Sequence, residues 1–300
     1  MQGSRQARAD TGAGPEVSGY VEYLLTNRDF TAPAVAAAVG TITVGARDLA
    51  PRVLDAGTGA GGALPGLVRL VRAVGRGNGQ VVAVDLDERA VEVARAVLDD
   101  VAMERVDLRV ADLREVAAEA AAADERFDVI WSSDVIWPAT FEDPAAVVQA
   151  LTAALAPGGT LALFTTNYYQ SMFLPGHTRL ERLIRTASEL TWGLPDDGPA
   201  QYERLGAWLR QAGLREVTVR VFPVSSVASE PAARAFLTRI VWPEMRHAVA
   251  SHGRAAGMSD ADVARAGELL DPGSPAWIGA DPDTFVVQPT LLWTGRAAPR

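Results

Sequence analysis

Short runs of β-branched and apolar residues alternate with longer stretches of helical periodicity, and this alternation constrains the fold more than any other feature of the chain. The runs are PRVLDA (51–56), QVVAVDL (80–86), VDLRVADL (106–113), FDVIWSS (127–133) and TLALFTT (160–166). Between them lie amphipathic patterns such as Glu88–Leu98 and Pro144–Leu155. A helix joining two strands cannot act as a hairpin turn; the connection crosses over the sheet and leaves the strands parallel, with helices on both faces. The runs are almost continuously apolar, as strands buried on both sides must be. Two further strands follow: EVTVRVF (216–222), after a helix stopped by Gly213, and TFVVQPTLLWTG (284–295). Pro289 has no N–H for a ladder, so the last strand is bent or broken there. The pattern predicts an α/β fold with a doubly wound, mostly parallel, seven-stranded sheet.

Residues 1–46 read as a disordered lead and then an N-terminal helical arm, in which Val21, Leu24 and Leu25 share one face. Residues 47–224 plus 283–300 make the sheet domain. The segment 225–282 contains EPAARAFLTRIVW and SDADVARAGELL, has no strand signal, and reads as a helical insert before the last strand. It leaves from the carboxyl end of a strand, the edge where such sheets bind ligands. It is therefore predicted to be a lid over substrate, with a dimer contact as the competing use.

Composition removes whole classes of chemistry. The chain of 300 residues has no Cys, and all 28 of its basic residues are Arg. There is no thiolate nucleophile, disulfide or thiolate zinc site, and no lysine for a Schiff base or a phosphate loop. His177, His247 and His252 are too far apart for a zinc helix, so no metal is expected. A net charge of −9 opposes nucleic-acid binding, which needs positive potential. No apolar run reaches the ~18 residues of a membrane span, and the first residues lack the apolar stretch of a secretory signal. The expectation is a cytoplasmic protein, monomer or homodimer, whose partner is a small-molecule substrate.

The segment VLDAGTGAGG (53–62) holds a strand, a glycine loop and a helix start. Gly57, Gly59 and Gly62 satisfy the dinucleotide pattern GxGxxG, which would place a pyrophosphate at the helix N-terminus and make the chain an NAD(P)-dependent oxidoreductase. Asp55 argues otherwise. It gives D-x-G-x-G-x-G over 55–61, and a carboxylate there repels a pyrophosphate but suits a ligand bearing an ammonium group.

That arrangement resembles motif I of the class I S-adenosylmethionine-dependent methyltransferases, and further motifs follow in that family's order. VVAVDLDERAVEVAR (81–95) ends its strand on Asp85, 28 residues after Gly57. VADL (110–113), FDVIWSSDVIWP (127–138), LAPGGTLAL (155–163) and LRQAGL (209–214) resemble the later motifs. The resemblance covers about residues 50–222 plus the final strand. It implies a Rossmann-like methyltransferase fold, S-adenosylmethionine as cofactor and S-adenosylhomocysteine as product. By the same resemblance Asp55, Ala56, Gly57, Thr58 and Gly59 line the cofactor, Asp85 takes the ribose hydroxyls and Leu86 packs on adenine. Asp112 would bond the adenine amine, Leu113 would lie beside the ring, and Ser132 would be a further cofactor-binding residue. Asp87 reads instead as a helix N-terminal carboxylate. The oxidoreductase alternative lacks a YxxxK-like or His/Asp catalytic pair. A non-catalytic S-adenosylmethionine-binding partner protein is the other alternative, and against it motif I is intact.

Methyl transfer from a sulfonium needs positioning above all, with at most a base. The loop SSDVIWP lacks the NPPY or DPPY string of many nucleic-acid and glutamine methylators, which points to the small-molecule branch. Asp134 and His177 are the candidate bases, with capping or surface roles as their competing readings. Tyr20, Tyr23, Trp137, Asn167, Tyr168 and Tyr169 are expected to meet substrate. Trp131, Trp137, Trp192, Trp242, Trp277, Phe173 and Phe236 fall near these segments and suggest an apolar acceptor. The sequence thus reads as a methyltransferase acting on O, N or C of a small, largely apolar organic molecule, in bacterial specialised metabolism.

Overall fold

The computed structural model describes residues 17–44, 50–74, 79–98, 103–195 and 197–299. The predicted disordered lead and the 46/47 boundary lie outside the described residues. The chain divides into two compact units. The sheet unit takes Ala32–Thr165, Asp196–Phe222 and Leu291–Arg300, and the helical unit takes Met1–Thr31, Thr166–Pro195 and Pro223–Thr290.

In the sheet unit, strands β1 (Arg52–Ala56), β2 (Gln80–Asp85), β3 (Val106–Val110), β4 (Phe127–Ser133), β5 (Leu155–Thr166), β6 (Arg215–Val221) and β9 (Thr290–Arg296) form one seven-stranded sheet. Its order is β3-β2-β1-β4-β5-β9-β6. The pairs from β3 through β5 are parallel, and β9 runs antiparallel to β6. Backbone bonds from Gly158 to the Ala298 carbonyl and from Ala297 to the Gly159 carbonyl set β9 antiparallel to β5 as well. The strand order reverses between β1 and β4, the place where open α/β sheets bind ligands beyond their carboxyl ends.

Both faces are covered for the reason the sequence suggests. On one face, Leu54, Val82 and Val84 pack with Val116 and Ala117 of α4 (Leu113–Ala122), Val147 and Leu151 of α5 (Pro144–Ala153), and Trp208 and Leu209 of α7 (Leu205–Gln211). Helices α2 (Leu64–Val74) and α3 (Glu88–Arg95) bury Leu64, Leu67, Val68 and Val71, and Ala90, Val91 and Ala94. Each fully buried Leu or Val side chain contributes about 1.5–3 kcal/mol. Asp87 caps α3, its side chain accepting from the Arg89 and Ala90 N–H groups, as its position in the sequence suggests. Gly213 has φ +85°, the left-handed stop expected after α7.

The helical unit holds the first part of α1 (Val17–Val39), then α6 (Thr178–Thr191), α8 (Pro231–Phe236), α9 (Trp242–His252) and α10 (Asp260–Leu270). A π turn at Leu237–Val241 joins α8 to α9. It ends just before Pro243, which has no N–H to continue the ordinary ladder. Glu181 is enclosed here and accepts the backbone N–H groups of Phe173 and Leu174.

Two differences from expectation concern this unit. The segment 225–282 is not free of strand: β7 (Val224–Val227) reaches into it and pairs antiparallel with β8 (Phe285–Gln288). A four-residue VSSV run is too short and too polar to stand out by periodicity. The unit also extends beyond the insert, taking in 166–195 and α1 up to Thr31. The predicted break at Pro289 separates β8 from β9. Among the described residues, no helix is long and apolar enough to cross a membrane.

Gly206 on α7 brings the helix onto Trp293 of β9; a Cβ at 206 would lie 2.3 Å from the indole Cζ3. Gly206→Ala is expected to destabilise the protein by about 1–3 kcal/mol. The urea midpoint should fall at constant slope, and adding Trp293→Leu should recover most of the loss. Wild-type stability in Gly206→Ala would contradict this packing.

Candidate active site

The first half of the glycine loop is tied to the end of β2, and the second half to the loop itself. The Gly57 and Thr58 N–H groups both donate to the Val84 carbonyl, at 2.9 and 2.8 Å. The Gly59 N–H donates to Oδ2 of Asp85 at 2.9 Å, and the Gly61 N–H to the Thr58 carbonyl at 2.9 Å. Gly57, with φ +84°, has Val135 pressed against it, where a Cβ would lie 2.5 Å from Cγ2. A pyrophosphate cradle needs loop N–H groups that face outward. These four face inward.

Asp55, at the end of β1, is 1% exposed, and the Thr58 hydroxyl donates to its Oδ2 at 2.8 Å. Burial pushes its carboxyl up to about 7; the Thr58 bond pulls it back, and the nearby Asp85 charge adds to the rise. Among the described residues no Arg pairs with it. A buried carboxyl held near neutrality fits a ligand that brings its own positive charge.

Asp85 accepts a second backbone bond, from Asp87 N–H to Oδ1 at 3.0 Å. These two bonds orient the carboxylate at the end of β2. Leu86 beside it is 60% exposed, as an adenine-packing residue must be. Val110 is the register partner of Asp85 on β3 and is 52% exposed, a second apolar surface at the same strand ends. Leu113, which the resemblance sets beside the ring, is buried in the core at the start of α4. The strand ends at Val110 and not at Leu113, which turns the latter inward. The signal was the Asp112 helix cap. Asp112 accepts the Arg114 N–H at 2.8 Å and pairs with the Arg114 guanidinium, which holds its carboxyl below the usual range. Ser132 is buried and donates to the Ala56 carbonyl at 2.7 Å, so its hydroxyl proton ties β4 to β1. The fit to S-adenosylmethionine rests on Asp55, Asp85 and Leu86, less on Asp112 and Ser132.

Asp134 follows β4 with φ +56°, an αL conformation that Asp tolerates better than most residues, and its N–H donates to the Phe164 carbonyl at 3.0 Å. The side chain is half-buried, as is Trp137 three residues on. His177 belongs to the helical unit, where it stands at the N-cap of α6 without a side-chain capping bond. In the same unit the Tyr23 and Tyr168 hydroxyls lie 3.1 Å apart, Tyr168 donates to Asn27 Oδ1, and the Tyr20 and Tyr23 rings stack. Tyr168 also stacks on Phe236, and Tyr169 is buried. Asn27 was not anticipated from sequence; nothing in its helical surroundings marks it. Trp131, Phe173, Phe236 and Trp242 are almost wholly enclosed, so their aromatic character reports core packing, not an acceptor pocket. His247 is exposed.

An open depression of about 350 Å³ lined by Arg52, Arg126 and Asp128 lies at the amino ends of the strands, opposite the glycine loop. Another of about 540 Å³ is lined by Asp197, Gln201 and Arg204, in the segment before α7. Neither touches the loop. Among the described residues, no three His, Asp or Glu side chains converge as a metal site would require.

The family described as Methyltransferase domain matches residues 49–196. Ubiquinone biosynthesis O-methyltransferase of Xanthomonas axonopodis pv. citri is 33% identical over 165 residues, 55% of this chain and 62% of that protein. The protein of the same name from Leptothrix cholodnii is 37% identical over 125 residues, 41% of this chain and 47% of that one. The match thus spans less than two thirds of the length of these curated relatives. Among solved structures, the YcgJ protein of Bacillus subtilis superposes with a TM-score of 0.51 at 15% identity, covering 89% of this chain and 99% of that one, and shares the fold. Residues 49–196 are thus matched as a methyltransferase domain, on the fold that the sheet unit shows.

Proposed function

We propose that the protein moves a methyl group from S-adenosylmethionine to a hydroxyl of a small, largely apolar organic acceptor. The observation that carries this reading is the pair of carboxylates at the ends of β1 and β2. Asp55 is buried without a basic partner among the described residues, and Asp85 is aimed by two backbone N–H groups beside the exposed Leu86. The choice of oxygen as the acceptor atom is supported by the names of the relatives, which are O-methyltransferases. Those names describe ubiquinone biosynthesis and give no support to a setting in specialised metabolism.

The cofactor supplies an activated methyl group: the carbon–sulfur bond breaks as the carbon–oxygen bond forms, and sulfur keeps the electron pair. The protein has to hold the acceptor in line, exclude water and receive the hydroxyl proton. We assign cofactor binding to the sheet unit, and acceptor binding to the helical unit through Tyr20, Tyr23, Asn167, Tyr168 and Tyr169, with the 225–282 insert shielding the acceptor. Connectivity supports the assignment. The chain leaves the sheet for the helical unit at the carboxyl ends of β5 and β6, the ligand-binding edge of this fold.

Calorimetry with S-adenosylhomocysteine should show micromolar binding that Asp85→Ala weakens by about 10–100-fold, the worth of charge-assisted hydrogen bonds. A thermal melt confirms that the variant is folded, and binding of NAD in a parallel cell would overturn the reading. Affinity should also depend on pH. A ligand ammonium favours the ionised Asp55, so binding expels the proton that Asp55 holds below about 7 in the free protein. Affinity should therefore fall about tenfold per pH unit below that value. Asp55→Asn should flatten the profile, and an unchanged profile would remove Asp55 from the cofactor's ammonium.

Asp134→Asn is expected to lower kcat about 100-fold or more with KM little changed, followed as S-adenosylhomocysteine release. Full activity in it and in His177→Ala would leave positioning alone as the source of catalysis.

A further inference from the structure

Two enclosed amide oxygens in the helical unit lack a hydrogen-bond partner among the described residues: Oδ1 of Asn167 and Oε1 of Gln288. The residues are 6% and 0% exposed. The orientation of the Gln288 amide is not arbitrary. Its Nε2 donates to the backbone carbonyls of Asn167 at 2.8 Å and Pro289 at 3.1 Å. Turning the amide over would set its oxygen against both carbonyls, so Oε1 is an acceptor by necessity. The Asn167 N–H donates to the Pro289 carbonyl at 3.0 Å. The backbone of Asn167 and the side chain of Gln288 are thereby laced into one corner around Pro289.

A buried acceptor left unmade costs about 1–3 kcal/mol, and folded proteins keep few of them. Two on residues of one corner mark a place that receives hydrogen-bond donors. The chemistry of the corner narrows the donor further. Both groups are neutral, so a buried cation would find no counter-charge, and an anion would meet only lone pairs. An amide oxygen accepts a proton's hydrogen bond but does not take the proton.

We propose that Asn167 and Gln288 form a cradle for a neutral hydroxyl group of the methyl acceptor, one that stays protonated and is not the group methylated. The acceptor class is then a molecule with at least two hydroxyls, one held and one modified. This rests on the reading of the helical unit as the acceptor-binding part. It adds Gln288, which no sequence signal marked, as a specificity-determining residue.

The test uses the full chain saturated with S-adenosylhomocysteine and two matched probe pairs, catechol with phenol and 4-(2-hydroxyethyl)phenol with 4-ethylphenol. Affinities are read by thermal shift. In the wild type, the dihydroxylated member of at least one pair should bind about tenfold tighter than its partner, the worth of one satisfied buried acceptor. Asn167→Leu should bring the two within about twofold while S-adenosylhomocysteine affinity stays the same. Asn167→Ala serves where the leucine variant is poorly folded. Equal binding within both pairs, discrimination that survives in the variants, or no probe binding by protein that binds S-adenosylhomocysteine would each overturn the cradle. A crystal structure with the probe bound, in which one water bridges both oxygens, would do the same. Wild-type protein that ignores S-adenosylhomocysteine would instead strike at the methyltransferase reading itself.

Discussion

The turn after β1 hangs from the end of β2, and the chemistry of the sheet unit depends on that suspension. One carbonyl, that of Val84, takes the N–H groups of both Gly57 and Thr58, and one carboxylate, that of Asp85, takes the next N–H, of Gly59. A chain can make that reversal only with φ near +84° at residue 57, and Val135 leaves no room for a side chain there. The glycines are therefore needed for the turn itself, whatever binds beside it. The same bonds take up the N–H groups of Gly57, Thr58 and Gly59, which a phosphate cradle of this pattern would need. What it presents instead is a fixed carboxylate and an apolar neighbour.

The cost of this design is electrostatic. Two acidic side chains stand at adjacent strand ends, one of them nearly sealed from water, and their mutual repulsion adds to the desolvation that raises Asp55. Thr58 offsets part of the penalty through its hydroxyl, using a residue of the same turn. A group in that state gives up its proton more readily when something positive approaches, so cofactor charge, local pH and loop geometry act on one equilibrium. Asp112 shows the contrast. Its carboxylate is stabilised by Arg114 and by a helix N–H, and it needs nothing from a ligand.

Much of this was legible in the sequence because it rests on period and on backbone conformation. Seven strands, the helices covering them, the Asp87 cap, the Gly213 stop and the Pro289 break all follow from local rules that tertiary context did not override. The failures have a common origin. Leu113 was expected beside the ring by family resemblance, and its burial at the start of α4 depends on what packs against that helix. Trp131 and Trp242 were read as near the pocket because they fall in or near loops, whereas burial is a property of what packs against them. The strand β7 escaped because four residues carry too little pattern. The position of Gln288 on a short edge pair, and the closeness of its amide to Asn167, depend on contacts across 121 residues of chain, and no window of sequence contains them.

Pro289 shows how a local rule and a distant consequence meet in one residue. Lacking an N–H, it ends β8 and obliges the chain to restart as β9, which is what the sequence predicts. Its carbonyl is nevertheless a full acceptor and collects two donors, the backbone N–H of Asn167 and the side-chain amide of Gln288. The Gln288 amide spends both bonds of its nitrogen on carbonyls, and its oxygen is left facing inward. A strand that ran unbroken through this point would pair residue 289 by its own N–H and leave the glutamine free to turn. The break that interrupts the sheet is thus also what fixes the polarity of the corner: donors consumed on the backbone, acceptors held open for a hydroxyl.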